Sequence, residues 1–152
     1  MFVYLIQHAR ARSKEEDPER GLTEEGLEEA RRCFRFFART GAGVAEVWHS
    51  GKKRAEQTAD LLARTLDETP RVTEREGLDP KDDVEATAEA LAGVRGDVAV
   101  VGHMPHLARL ASLLLARDAG REVVRFRNGG VVALVREESD WHLAWMINPD
   151  VL

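Results

Sequence analysis

The sequence predicts a three-layer α/β domain: a central, mostly parallel sheet with helices on both faces. Three observations carry that expectation. Short apolar runs rich in strand formers alternate with stretches of helical periodicity as far as Ala116. Beyond that point the pattern changes to short strands alone. The length, 152 residues, suits one domain with its own core, spanning 1–152. Strand and helix in alternation favour a parallel sheet, because each helix returns the chain to the same sheet edge.

The elements follow in order. Phe2 to Ile6 is a continuous apolar run, as expected of a strand buried on both faces. A charged loop runs from Arg10 to Gly21. Thr23 offers a helix N-cap, with Glu24 and Glu25 in a first turn that favours acids. Leu27, Ala30, Phe34 and Phe37 share a helical face, and Gly41 or Gly43 ends that helix. Val44 to His49 is a second strand. Ala55, Ala59, Leu62 and Leu66 mark a second helix, and Arg71 to Thr73 a short third strand. Val84, Ala88 and Leu91 belong to a third helix, opened by Pro80 and closed by Gly93. Asp97 to Val101 is a buried strand. Leu107, Leu110, Ala111 and Leu114 mark a fourth helix, with Pro105 at its start. Three strands are expected in the tail: Val123 to Arg127, Val131 to Arg136 and Trp141 to Met146. Asn128-Gly129 is the strongest hairpin signal among them.

Composition excludes several classes. Basic residues number 22 and acidic residues 27, so bulk attraction to nucleic acid or to an anionic membrane is not expected. One cysteine, Cys33, cannot make an internal disulfide, which points to a reducing, cytoplasmic setting. Cys33 lies beside the first helical stripe and reads as packing. No apolar run is long enough to cross a bilayer, and no leader pattern opens the chain. Trp48, Trp141 and Trp145 read as strand side chains in or near the core, and His142 as solvent-facing.

Chemistry concentrates where strands end. Open α/β sheets bind ligands beyond the carboxyl ends of their strands. The first strand is followed by Gln7-His8-Ala9-Arg10, the second by Ser50-Gly51-Lys52-Lys53-Arg54, the fourth by His103-Met104-Pro105-His106. Three strand ends thus deliver imidazole or cationic groups to one sheet edge. Lys52, Lys53 and Arg54 crowd a helix N-terminus, where the dipole disfavours cations and a bound anion would relieve the conflict. Lys52 and Lys53 are expected to point into water, whereas Arg54 precedes the buried stripe and faces the strand ends. His8, directly after a buried strand, is placed rigidly enough for a nucleophile. Imidazole attacks phosphorus and later yields the phosphoryl group to water. His103 and His106 share metal-pair spacing, but no third ligand lies near them, and His106 reads as a pocket-rim or surface residue. Gly41-Ala42-Gly43 follows a helix and lacks the third glycine of a dinucleotide loop.

These residues resemble the histidine phosphatase superfamily, with its phosphoglycerate-mutase-like fold. The resemblance rests on the strand followed by Gln7-His8-Ala9, on Arg20-Gly21-Leu22-Thr23-Glu24-Glu25-Gly26, on Ser50 to Thr58 and on Gly102-His103-Met104-Pro105. The small size, the short Arg54–His103 interval and the closing Trp145 to Pro149 resemble its compact SixA-type branch of protein phosphohistidine phosphatases. The resemblance implies that His8 is the phosphoryl-accepting nucleophile, and that Arg54 and His103 bind and stabilise the phosphoryl oxygens. It implies binding roles for Gln7, Arg10, Arg20 and Ser50, and neither metal nor other cofactor.

Two residues depart from the family pattern. Gln7 stands where the family has arginine, and Ala9 where it has glycine. Losing a charge-assisted hydrogen bond of about 1.5–3 kcal/mol would weaken phosphoryl binding or rate roughly ten- to a hundredfold unless Arg10 or Arg12 replaces it. Glu76 and Asp79 are the candidate general acids for an ester leaving group; a phosphorylated imidazole leaves without one. The reading favoured is a cytoplasmic phosphatase for phosphohistidine on a protein. The alternatives are a phosphomonoesterase for a small phosphorylated metabolite, and a non-catalytic phosphate-group-binding module.

Overall fold

Two groups of apolar side chains, one on each face of a single sheet, organise the chain; the computed structural model describes all 152 residues. The strands are β1 (Phe2–Gln7), β2 (Glu46–His49), β3 (Arg71–Glu74), β4 (Val98–Gly102), β5 (Val131–Glu137) and β6 (Asp140–Ile147), in the order β3-β2-β4-β1-β5-β6. The β3-β2, β2-β4 and β4-β1 pairings are parallel, and β5 runs against both neighbours. The helices are α1 (Glu24–Arg39), α2 (Lys53–Thr65), α3 (Val84–Ala92) and α4 (His106–Ala116). No helix is long and apolar enough to cross a membrane.

Burial follows the two-residue period of the strands. Tyr4 and Ile6 of β1 meet Phe34 and Phe37 of α1 and Leu62 of α2 on one face. Val3 and Leu5 meet Leu91 of α3 and Leu107 and Leu110 of α4 on the other. That two-sided burial is why β1 and β4 read as unbroken apolar runs. Cys33 and Trp48 are buried, and His142 is exposed. The Thr23 hydroxyl accepts the Gly26 N–H at 2.9 Å and caps α1; Gly41, at φ +74°, follows its end.

Three expected boundaries differ. α3 is opened by Asp83, whose carboxylate accepts the Glu85 N–H at 3.0 Å, and not by Pro80. Pro80 lies instead in a turn in which Asp82 N–H donates to the Asp79 carbonyl at 3.1 Å. Val123 to Arg127 forms no strand, although Val124 and Phe126 are buried in the second cluster. β1 offers this segment no free edge, being paired to β5 from Phe2↔Val135 to Ile6↔Val131 and to β4 on its other side. The apolar alternation is therefore used for packing without a ladder. Asn128-Gly129 is a turn but joins no hairpin; the hairpin lies at Glu138-Ser139, between β5 and β6, with Glu138 at φ +57°.

Candidate active site

Parallel pairing of β1, β4 and β2 brings their carboxyl ends to one edge, with Gln7 opposite Gly102 and His49 opposite Val101. The His8 N–H donates to the Gly102 carbonyl at 3.0 Å, so the residues following β1 and β4 are locked side by side. The His8 and His103 rings then stand 5.2 Å apart between centroids. Ser50, following β2, sets its Oγ 2.6 Å from His103 Nε2. Arg54 sits in the first turn of α2. Arg20 reaches the group from the first loop, with its backbone in the left-handed region at φ +54°, costly for a non-glycine residue.

The backbone around His8 is braced by side chains. Thr58 Oγ1 accepts the Ala9 N–H at 3.0 Å and donates to the Arg54 carbonyl at 2.7 Å, tying the His8 loop to the turn that carries Arg54. Gln57 Oε1 accepts the Leu22 N–H at 2.8 Å, holding the Arg20 loop to the same helix. Asn128 Nδ2 donates to the His8 carbonyl at 2.9 Å, and the Gly129 N–H to the Gln7 carbonyl at 2.9 Å. A side chain at Gly26 would put its Cβ 2.4 Å from the Arg10 carbonyl oxygen, so this close approach of α1 to the loop requires glycine. In the sequence Gln57 and Thr58 stand only within the Ser50 to Thr58 motif, and Asn128 reads as hairpin chemistry. Their roles depend on contacts between distant segments.

The electrostatics of the cluster is dominated by burial and by neighbouring cations. Burial first, then the Arg54 and Arg20 guanidinium groups, push the His8 imidazole down to about 4, against the opposing Ala9 carbonyl. That carbonyl lies 2.7 Å from His8 Nδ1. A carbonyl only accepts, so Nδ1 carries the ring hydrogen and Nε2 keeps its lone pair. His103, 2% exposed, is pushed to about 3 by burial first and then by His8, Arg54 and Lys52. Arg54 is itself lowered by burial and by Arg20, with Asp79 opposing. Arg54 Nε and His103 Nδ1 are buried without a hydrogen-bond partner. Mutually repelling cations of this kind are what an oxyanion between them would relieve.

The other expected site residues divide. Arg10 is not brought into the cluster: its Nε pairs with Glu29 at 2.9 Å, because the loop turns this side chain toward α1. Arg12 donates to the Leu22 carbonyl at 2.6 Å. The arginine that accompanies Arg54 is Arg20. Gln7 ends β1 beside the cluster. Lys53 pairs with Glu19 at 2.9 Å, away from the cluster, but Lys52 does not simply enter solvent. It lines a cavity of about 500 Å3 with Arg20, Arg54 and Asp79. Asp79 also borders an adjoining cleft of about 760 Å3 that contains Ser50 and Glu76. His106 is neither rim nor surface. It is 1% exposed, with Nε2 3.2 Å from Thr87 Oγ1, so it links α4 to α3. No three His, Cys, Asp or Glu side chains gather closely enough to hold a metal ion.

A family profile described as histidine phosphatase superfamily (branch 1) matches residues 3–80. No curated protein matches the chain. Among solved structures, the protein histidine phosphatase SixA in complex with tungstate superposes with a TM-score of 0.86 at 23% identity, covering 99% of both chains. A SixA from Agrobacterium tumefaciens gives 0.80 at 22% identity over 97% of both. The alpha-ribazole phosphatase from Shigella flexneri gives 0.77 at 16% identity over 98% of this chain and 97% of that one. At such identities the likeness speaks for the fold.

Proposed function

The chain belongs to the histidine phosphatase superfamily, and we propose that it is a metal-independent phosphatase acting through a phosphohistidine on His8, with phosphohistidine of another protein as its substrate. One observation carries this reading: a neutral His8, its Nδ1 hydrogen held by the Ala9 carbonyl and its Nε2 free, sits among Arg54, Arg20 and His103. The tungstate held by the SixA structure, a tetrahedral oxyanion like phosphate, is consistent with it.

In the proposed reaction the His8 Nε2 lone pair attacks phosphorus and the bond from phosphorus to the leaving nitrogen breaks, its electron pair staying on that nitrogen; the substrate imidazole leaves neutral because its other ring nitrogen carries a hydrogen. Charge on the equatorial oxygens is met by the Arg54 guanidinium and by His103, which flank His8. The Ser50 hydroxyl, 2.6 Å from His103 Nε2, holds that ring in place. Water then attacks the phosphorus of phospho-His8, releasing inorganic phosphate and restoring the free imidazole. Arg20 supplies the second guanidinium that Gln7 does not. An imidazole leaving group does not depend on Glu76 or Asp79, and Asp79 serves as counter-ion to Lys52 at 3.8 Å.

A second reading, hydrolysis of a small phosphomonoester, is favoured by one feature: Asp79 borders the cavity that holds Arg54 and is the nearer of the two candidate acids to the cationic cluster. A third, phosphate-group binding without turnover, rests on Gln7. The experiment is direct. Purified protein, with chelator present, is offered a phosphohistidine protein and a panel of phosphoesters. Turnover of phosphohistidine, abolished by His8→Ala, supports the first reading. Turnover of esters alone, lost in Asp79→Asn, supports the second, and binding without turnover the third. We also propose that the chain acts as one domain, 1–152, in a reducing cytoplasm, with Cys33 buried and unpaired.

A further inference from the structure

The cavity beside Arg54 holds more positive charge than one phosphoryl group needs. Lys14, Arg20, Lys52, Arg54 and Lys81 line it, against the carboxylates of Asp79 and Asp82. The chain as a whole is acidic, with a net charge of −5, and other cations near the site are matched: Arg10 to Glu29 and Lys53 to Glu19, each at 2.9 Å. Lys14, Arg20, Arg54 and Lys81 make no ion pair, and the one partner of Lys52, Asp79, is 3.8 Å away. Asp82 is engaged in its own turn, its carboxylate accepting the Asp79 N–H at 2.9 Å.

A transferable phosphoryl group carries about two negative charges. Arg54, Arg20 and His103 answer it, which leaves the three lysines against Asp79 and Asp82, a surplus of about one positive charge. On the other side of Asp79 the sign reverses. The adjoining cleft is lined by Glu74, Glu76 and Asp83, and its one cation, Arg75, stacks on Trp48 at 3.9 Å. An anion is attracted on the lysine side and repelled on the glutamate side, so the field orients whatever is attached to the phosphoryl group. Lysine ammonium groups on flexible stems suit a negative charge whose position varies between ligands.

We propose that Lys14, Lys52 and Lys81 form a second anion subsite, and that the substrate carries a further negative group, carboxylate or phosphate, close to the phosphoryl group that is removed. The inference rests on the phosphate-site reading above and deepens it. On a phosphorylated protein the second group is an acidic residue near the phosphohistidine; on a small molecule it is a second phosphate.

Inorganic phosphate and diphosphate are the probes, titrated calorimetrically into the full chain at constant ionic strength. Diphosphate binds about tenfold more tightly than phosphate if one further charge-assisted contact is made. In Lys14→Ala/Lys81→Ala the ratio of the two affinities falls toward unity, and in Lys14→Glu/Lys81→Glu it inverts. Equal affinities in the wild type, or a ratio that neither double variant moves, overturns the subsite while phosphate binding itself still stands. Failure of both anions to bind overturns the phosphate-site reading and the subsite with it. Two substrate pairs then identify the source of the charge. Preference for a phosphohistidine peptide flanked by Asp and Glu over its Asn- and Gln-flanked counterpart assigns the subsite to a protein. Preference for a bisphosphate over the matching monophosphate ester assigns it to a small molecule. Indifference in both pairs overturns the proposal.

Discussion

Asn128 reaches across 120 positions of sequence to donate its side-chain N–H to the His8 carbonyl at 2.9 Å. Beside it, the Gly129 N–H caps the Gln7 carbonyl, so the last two backbone acceptors before the His8 loop are both held by one turn. That turn determines where β1 ends and therefore where the His8 ring stands. Asn128→Ala is expected to cost about 1 kcal/mol of stability, the net worth of one hydrogen bond. If Asn128 positions the nucleophile, kcat falls by roughly tenfold while KM changes little, since a small displacement damages attack more than binding. An unchanged kcat alongside a lowered Tm would reduce Asn128 to a purely structural part.

His8→Ala is expected to remove turnover without unfolding the chain, because His8 lies beyond the apolar run of β1. Rapid quench of the wild type should trap a phosphoprotein that is stable in base and labile in acid. Near-normal activity in His8→Ala would end the covalent mechanism.

The arginines separate by their contacts. Arg54→Ala and Arg20→Ala are each expected to lower kcat/KM by about a hundredfold, as for one preorganised donor. Arg10→Ala, which takes the partner from the buried Glu29 carboxylate, should leave the rate near wild type and cost about 1–3 kcal/mol of stability. Gln7→Arg should tighten inhibition by vanadate, by no more than about tenfold because Arg20 already supplies charge. Steady-state kinetics on the four variants checks the assignment; equal damage from Arg10→Ala and Arg20→Ala would refute it.

Acid stability follows from the two depressed histidines. His8 and His103 titrate at about 4 and about 3 in the folded chain, below the ordinary histidine value of 6.5 that the unfolded chain retains. Between these limits the unfolded chain binds protons that the folded chain refuses, so stability falls as pH drops below 6.5 and is level above it. Each histidine contributes a slope of about 1.4 kcal/mol per pH unit within its window. Denaturant melts from pH 4 to 8 should show that slope reduced in His103→Gln. An oxyanion such as vanadate, by favouring the imidazolium, should also flatten it. A profile flat down to pH 4.5 would mean that neither imidazole is held neutral.

What the sequence determined by itself was encoded in short stretches. The continuous apolar run of Phe2 to Ile6, the helical stripe from Ala30 to Phe37 and the Thr23 cap each depend on neighbours within one or two turns, and each formed as read. The three strand-end clusters were legible for the same reason, since a parallel sheet must place them on one edge. The tertiary structure decided what depends on competition between distant segments. Val123 to Arg127 has the pattern of a strand but found β1 already paired to β5. Asn128-Gly129 has the letters of a hairpin but spends its hydrogen bonds on Gln7 and His8. Among arginines that look alike along the first loop, only the folded chain shows Arg10 claimed by Glu29 and Arg20 left beside Arg54. Backbone preference acts over a few residues, whereas a side chain's partner is whichever group the fold brings within about 3 Å, and no local pattern encodes that distance.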